Sequence, residues 1–107
     1  MIDRREYMFL ISITIKADKV PTDKTDELLA GHRAWFKEQF DKGYFLVVGP
    51  YKNKGMAGVV MAQAESRAAL DAIIAKDAYH ADGLADYEVS EFQANLIADN
   101  LADYRGK

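Results

Sequence analysis

Between Tyr7 and Ile15 the side chains alternate: Tyr7, Phe9, Ile11, Ile13 and Ile15 fall on one side, Met8, Leu10, Ser12 and Thr14 on the other. A period of two with one strongly apolar side predicts a strand. After a polar loop the period changes. Leu28, Leu29, Trp35, Phe36 and Phe40 recur at helical spacing, which predicts a helix from about Thr25 to Asp41 stopped by Gly43. Two apolar runs follow, Tyr44–Gly49 and Met56–Ala62, separated by a turn rich in Lys, Asn and Gly, and they read as a β-hairpin with a long loop. Ser66 is placed to accept a hydrogen bond from the free amides of a second helix, about Arg67 to Lys76, whose Leu70, Ile73 and Ile74 share one face. Ala78 to Gly83 is a short turn-like or helical piece. Tyr87 to Gln93 is a fourth strand in which Tyr87, Val89 and Glu91 alternate with Glu88, Ser90 and Phe92.

The order βαββαβ predicts an α+β, ferredoxin-like domain, with a four-stranded antiparallel sheet and two helices on one face. No Pro/Gly linker divides the chain, so residues 1–95 form one domain and 96–107 an extension. Helices on one side leave the second sheet face uncovered, and its apolar residues, Met8 and Leu10 among them, predict burial against another sheet in a two-fold homodimer. Leu96, Ile97, Leu101 and Tyr104 in the extension predict a short amphipathic helix that embraces the partner.

Composition narrows the function. The chain has 107 residues, 50% of them hydrophobic and 29% charged, which is the balance of a folded domain and not of a disordered one. A net charge of −3 argues against a nucleic-acid surface. There is no cysteine, which excludes disulfides, thiolate nucleophiles and cysteine metal sites. No apolar run reaches membrane-spanning length, and Met1 to Glu6 is too charged to open a signal peptide, so a cytoplasmic protein with no membrane partner is expected.

Two ionisable residues interrupt the apolar stripes. Projected at about 100° per residue from Leu28, Trp35 falls at about −20°, His32 at about 40° and Phe36 at about 80°, so His32 lies within the buried arc. Projected from Leu70, Asp77 falls at about −20°, between Ile73 and Ile74. Two helices on one sheet face bring their inward stripes together, and a buried carboxylate requires a partner. If the two meet, the carboxylate fixes the imidazole tautomer and the free ring nitrogen becomes a proton carrier. Periodicity alone also fits simpler roles, a satisfied core histidine and an aspartate bonded to backbone at a helix end.

The landmarks in order are His32 in the first helix, Gly43, Phe45-Leu46, Gly49-Pro50, Gly58, Ser66, Asp77-Ala78-Tyr79, Gly83-Leu84 and Tyr87-Glu88-Val89 leading to Phe92. In this order and spacing the chain resembles the YCII-related (YciI-like) family, from about Tyr7 to Phe92. The resemblance implies the dimeric α/β-barrel form of the fold and a catalytic pair on His32 and Asp77. The resemblance does not fix a reaction, though dehydrochlorination is one activity associated with it; together with the inward-facing pair it leads to the expectation of a lyase or isomerase without a cofactor, acting on a small cyclic or aromatic substrate. Relatives commonly have proline after the aspartate; here Ala78 stands there, and Asp77 is expected to be less firmly aimed.

Two other functions stay open: a non-catalytic metabolite-binding or accessory dimer module, and a cofactor-free barrel monooxygenase. Tyr79, Trp35 and Phe36 are candidate walls of a flat pocket between sheet and helices, although core packing also accounts for Trp35 and Phe36. Gly49, Pro50 and Ser66 are candidate substrate contacts at its mouth or wall, where a plain turn also accounts for Gly49 and Pro50. Lys52, Lys54 and Gly55 lack the spacing of a phosphate loop and read as a solvated hairpin tip. With two histidines, His32 and His80, and no metal-ligand spacing, no metal site is expected.

Overall fold

The structure is a computed structural model and describes residues 6–107. The charged opening segment, apart from Glu6, lies outside the described residues. The chain runs β1 (Tyr7–Ile15), α1 (Thr25–Asp41), β2 (Phe45–Pro50), β3 (Ala57–Ala64), α2 (Arg67–Ile74) and β4 (Ala85–Phe92), with short 3-10 turns at Ala17–Lys19, Thr22–Lys24 and Leu101–Tyr104. The strands form one antiparallel sheet in the order β2-β3-β1-β4, so β1 and β3 are central. This is the α+β, ferredoxin-like arrangement that the element order implied.

The alternation in β1 decides which face is covered. Phe9, Ile11, Ile13 and Ile15 are buried under the helices, and they pack with Trp35 of α1, Leu70, Ile73 and Ile74 of α2, and Phe45, Val60 and Ala62 of the hairpin strands. Trp35 ties the two helices, because its Nε1 donates to the Ile73 carbonyl at 2.9 Å. That carbonyl lies in the last turn of α2, where it lacks the amide four residues on and accepts instead from the Lys76 amide at 3.2 Å, and the indole supplies a further donor. At the end of α1, Gly43 adopts φ +87° and the Tyr44 amide reaches back to the Gln39 carbonyl at 3.0 Å, which turns the chain into β2.

Four expectations need correction. Phe40 is 52% exposed, and Gln39, 1% exposed, takes the inward position. At about 20° from Leu28, Gln39 is nearer the centre of the arc than Phe40 at about 120°, so geometry overrides side-chain polarity. The second helix ends at Ile74 and not at Lys76; the Lys76 and Asp77 amides bond only three residues back, to Ile73 and Ile74. In the hairpin, β3 begins at Ala57 and runs to Ala64, Met56 being a turn residue with φ +54°. The extension contains only the 3-10 turn Leu101–Tyr104, with Leu96 and Ile97 outside any helix and Leu96 96% exposed.

The uncovered face carries Leu10, which lies between Met61 of β3 and Ser90 of β4, and Met8, which lies between Gln63 and Phe92. Ser66 caps α2, its Oγ accepting from the Ala69 amide at 3.0 Å. Replacing it, Ser66→Ala, is expected to lower stability by about 1 kcal/mol. Urea unfolding measures this, and an unchanged midpoint would show that the cap contributes nothing.

Candidate functional site

Asp77 is carried by the turn that follows α2, and the turn is fixed by its own backbone: the Asp77 amide donates to the Ile74 carbonyl, the His80 amide to the Asp77 carbonyl, and the Leu84 amide to the Tyr79 carbonyl, at 3.0, 3.0 and 2.9 Å. Helix α1 approaches this turn closely at Gly31, where a β-carbon would lie 2.9 Å from that of Ala78. Only glycine permits that approach without displacement of one element. The neighbouring His32 is thereby brought against Asp77. The aim of the carboxylate, expected to suffer from Ala78 in place of proline, is held by this turn and this contact.

His32 Nδ1 lies 2.7 Å from Asp77 Oδ1, and the Tyr87 hydroxyl donates to Asp77 Oδ2 at 2.5 Å. The Asp77 side chain is 0% exposed and that of His32 8%. An ionised carboxylate only accepts, so in the pair with neutral imidazole Nδ1 carries the hydrogen and Nε2 presents its lone pair. Among the described residues Nε2 has no hydrogen-bond partner. Around the imidazole stand Phe36, Tyr79 and Trp35, with ring centroids 4.4, 5.0 and 5.7 Å away. Burial, and then the charge of Asp77, raises the Tyr79 phenol above its ordinary value, with Arg33 opposing. Burial raises the Tyr87 phenol far above its own, reinforced by the hydrogen bond to Asp77 and by its charge.

Of the residues singled out by sequence, the structure thus gathers His32, Asp77, Tyr79, Trp35 and Phe36. It does not bring Ser66, Gly49 or Pro50 to them. Ser66 is at the opposite end of α2, about 12 Å along the helix axis. Pro50 lies in one row with Gly58, Ile13 and Tyr87, three strand spacings or about 14 Å across the sheet from Tyr87. The expected pocket between sheet and helices does not open on the pair. Two open clefts, about 670 and 650 Å3, are lined instead by residues of α1, α2 and their adjoining turns and by residues of β1, β4 and the segment that follows it. No group of three or more metal-ligating side chains gathers among the described residues.

Tyr87 was missed as a site residue. Its signal was present, because the strand alternation set it on the inward face beside Val89, and a phenol turned inward needs a partner for its hydroxyl.

The YCII-related domain matches residues 7–93. No curated protein matches the chain. Among solved structures, a candidate antibiotic biosynthesis monooxygenase from Bacteriodes thetaiotaomicron is similar with a TM-score of 0.55 and 14% identity, over 85% of this chain and 90% of that one. A single-site mutant of SnoaB, a cofactor-independent oxygenase from Streptomyces nogalater, is similar with a TM-score of 0.50 and 19% identity, over 89% of this chain and 98% of that one. At such identities the likeness is one of fold. The lyase or isomerase expectation is corrected here: these neighbours are named as oxygenases, not as lyases or isomerases, and dehydrochlorination is left without support.

The raised Tyr87 phenol has a consequence for stability. Its folded value exceeds the ordinary 10.0, so the fold holds that proton while the unfolded chain gives it up. The contribution is present below pH 10 and is lost as pH rises beyond it. Thermal unfolding followed from pH 8 to 11 is expected to show an alkaline decline that is shallower in Tyr87→Phe; equal slopes would contradict it.

Proposed function

The chain belongs to the YCII-related family, and from that premise we propose that it is a small cofactor-independent oxygenase in which His32 acts as the base and Asp77 orients it. The observation that carries the reading is the 2.7 Å contact between Nδ1 and a carboxylate withdrawn from water, with Nε2 left without a partner among the described residues. The two fold neighbours named as oxygenases support the reaction class. The aromatic surroundings of the imidazole suit a flat cyclic or aromatic substrate, with Tyr79, Trp35 and Phe36 as its contacts.

In this reading His32 Nε2 takes a proton from an acidic hydroxyl or activated ring carbon. Asp77 stabilises the imidazolium that forms and prevents the ring from turning. The resulting anion is electron-rich and reacts directly with dioxygen. For a hydroquinone one oxygen atom enters the ring, giving a hydroxyquinone, and the other leaves as water with two substrate hydrogens. The return of the proton from imidazolium completes the cycle.

The functional unit in this proposal is a homodimer. Leu10 is 42% exposed at the centre of the uncovered face, and the extension holds out Leu96, Ile97, Leu101 and Tyr104. A second sheet would cover the first set, and the extension would wrap the partner. Leu10→Lys is expected to shift the elution volume from dimer to monomer. A dimer that survives this charge would place the interface elsewhere.

One observation favours a second reading, a metabolite-binding module. Neither cleft reaches His32, whose side chain is only 8% exposed. Turnover separates the two. Oxygen uptake is expected with a panel of hydroquinones and related phenols, and His32→Ala and Asp77→Asn are each expected to reduce it by about 100-fold or more while leaving the fold intact. Uptake equal to the parent in both variants removes the base, and binding without uptake selects the module.

A further inference from the structure

Asp77 stands on a turn, yet the reading above requires its Oδ1 to stay on His32 Nδ1. A carboxylate with one donor can rotate about its Cβ–Cγ bond and exchange its oxygens. Here the second oxygen is occupied: Tyr87 Oη donates to Oδ2 at 2.5 Å. Tyr87 comes from β4, where it pairs with Ile13 of the central strand β1, so the donor is anchored on the sheet and not on the turn it restrains. The three groups therefore come from three separate parts of the fold, the imidazole from α1, the carboxylate from the turn after α2 and the phenol from β4.

We infer that Tyr87 is a positioning residue of this site: its hydroxyl holds the Asp77 carboxylate in the rotamer that keeps hydrogen on His32 Nδ1 and leaves Nε2 free to accept a proton. This rests on the proposed role of His32 as a base. The phenol also shares the negative charge of Asp77, which would otherwise act on the imidazolium alone. The groups that face this trio are few. Tyr79 and His80 come from the turn, the His80 ring 5.7 Å from that of Tyr87, and Arg33 of α1 acts on Tyr79. Ile13, across the sheet, is apolar.

A substrate-free measurement tests it. The chain has two histidines, so nitrogen-15 spectra of the imidazoles are assigned with a single His80→Gln variant. In the parent, neutral His32 is expected to carry its hydrogen on Nδ1. In Tyr87→Phe the alternative tautomer is expected to become populated. Incorporation of 3-fluorotyrosine, whose phenol donates more strongly, should weaken the Asp77–His32 hydrogen bond and move the His32 Nδ1–H resonance upfield, and it supplies the test if the phenylalanine variant does not fold. In turnover the expected pattern is a kcat about 10-fold lower with KM unchanged. A variant that loses stability but keeps the parent tautomer and Nδ1–H resonance would reduce Tyr87 to a tie between β4 and the turn and overturn the proposal. A shifted tautomer in a protein that turns over no substrate would uphold the role of Tyr87 and sink the oxygenase reading, so the two failures are distinct.

Discussion

A carboxylate withdrawn completely from water is the constraint around which this fold is organised. Asp77 loses its hydration and receives in exchange one donor from α1 and one from β4. Neither alone would satisfy both oxygens, and removal of either leaves one buried carboxylate oxygen without a donor, which costs roughly 1–3 kcal/mol in general. The elements that supply these donors must therefore be held in register with the turn. The Trp35 bond to the Ile73 carbonyl fixes α1 against α2, and the Gly31–Ala78 approach fixes α1 against the turn itself.

The same packing gives the imidazole a divided environment. One ring nitrogen is committed to the carboxylate, the ring faces are enclosed by Phe36, Tyr79 and Trp35, and a narrow exposed edge remains. A low-polarity surround strengthens the His32–Asp77 interaction relative to water. The arrangement suits the proposed role of a proton carrier with an oriented partner, and the contacts of the pair involve no residue from the hairpin tip or from the start of α2.

Much of this is legible in the chain. The alternation in β1 and the spacing of Leu70, Ile73 and Ile74 identify the buried faces, because a two-residue and a 3.6-residue period cannot be confused over such lengths. The helical projection placed His32 and Asp77 inward, and the structure joins them, although Asp77 lies beyond the helix on which it was projected. The projection worked there because the turn continues to bond three residues back, close to a helical path. Phe40 was counted in the apolar spacing of α1, but its angle lies at the margin of the arc and Gln39 nearer its centre, and the structure follows the angle.

By itself, then, the sequence determined the strands, the helices, their order and the identity of the inward-facing ionisable pair, since these follow from local periodicity and from the cost of burying a lone charge. Only the tertiary structure decided that Tyr87 completes the pair, that Ser66, Gly49 and Pro50 stand apart from it, and how little of the imidazole remains open. Those facts depend on which elements approach one another and how closely. Such distances, as at Gly31 and Ala78, are set by side-chain volumes from segments far apart in the chain and leave no periodic trace within any one of them.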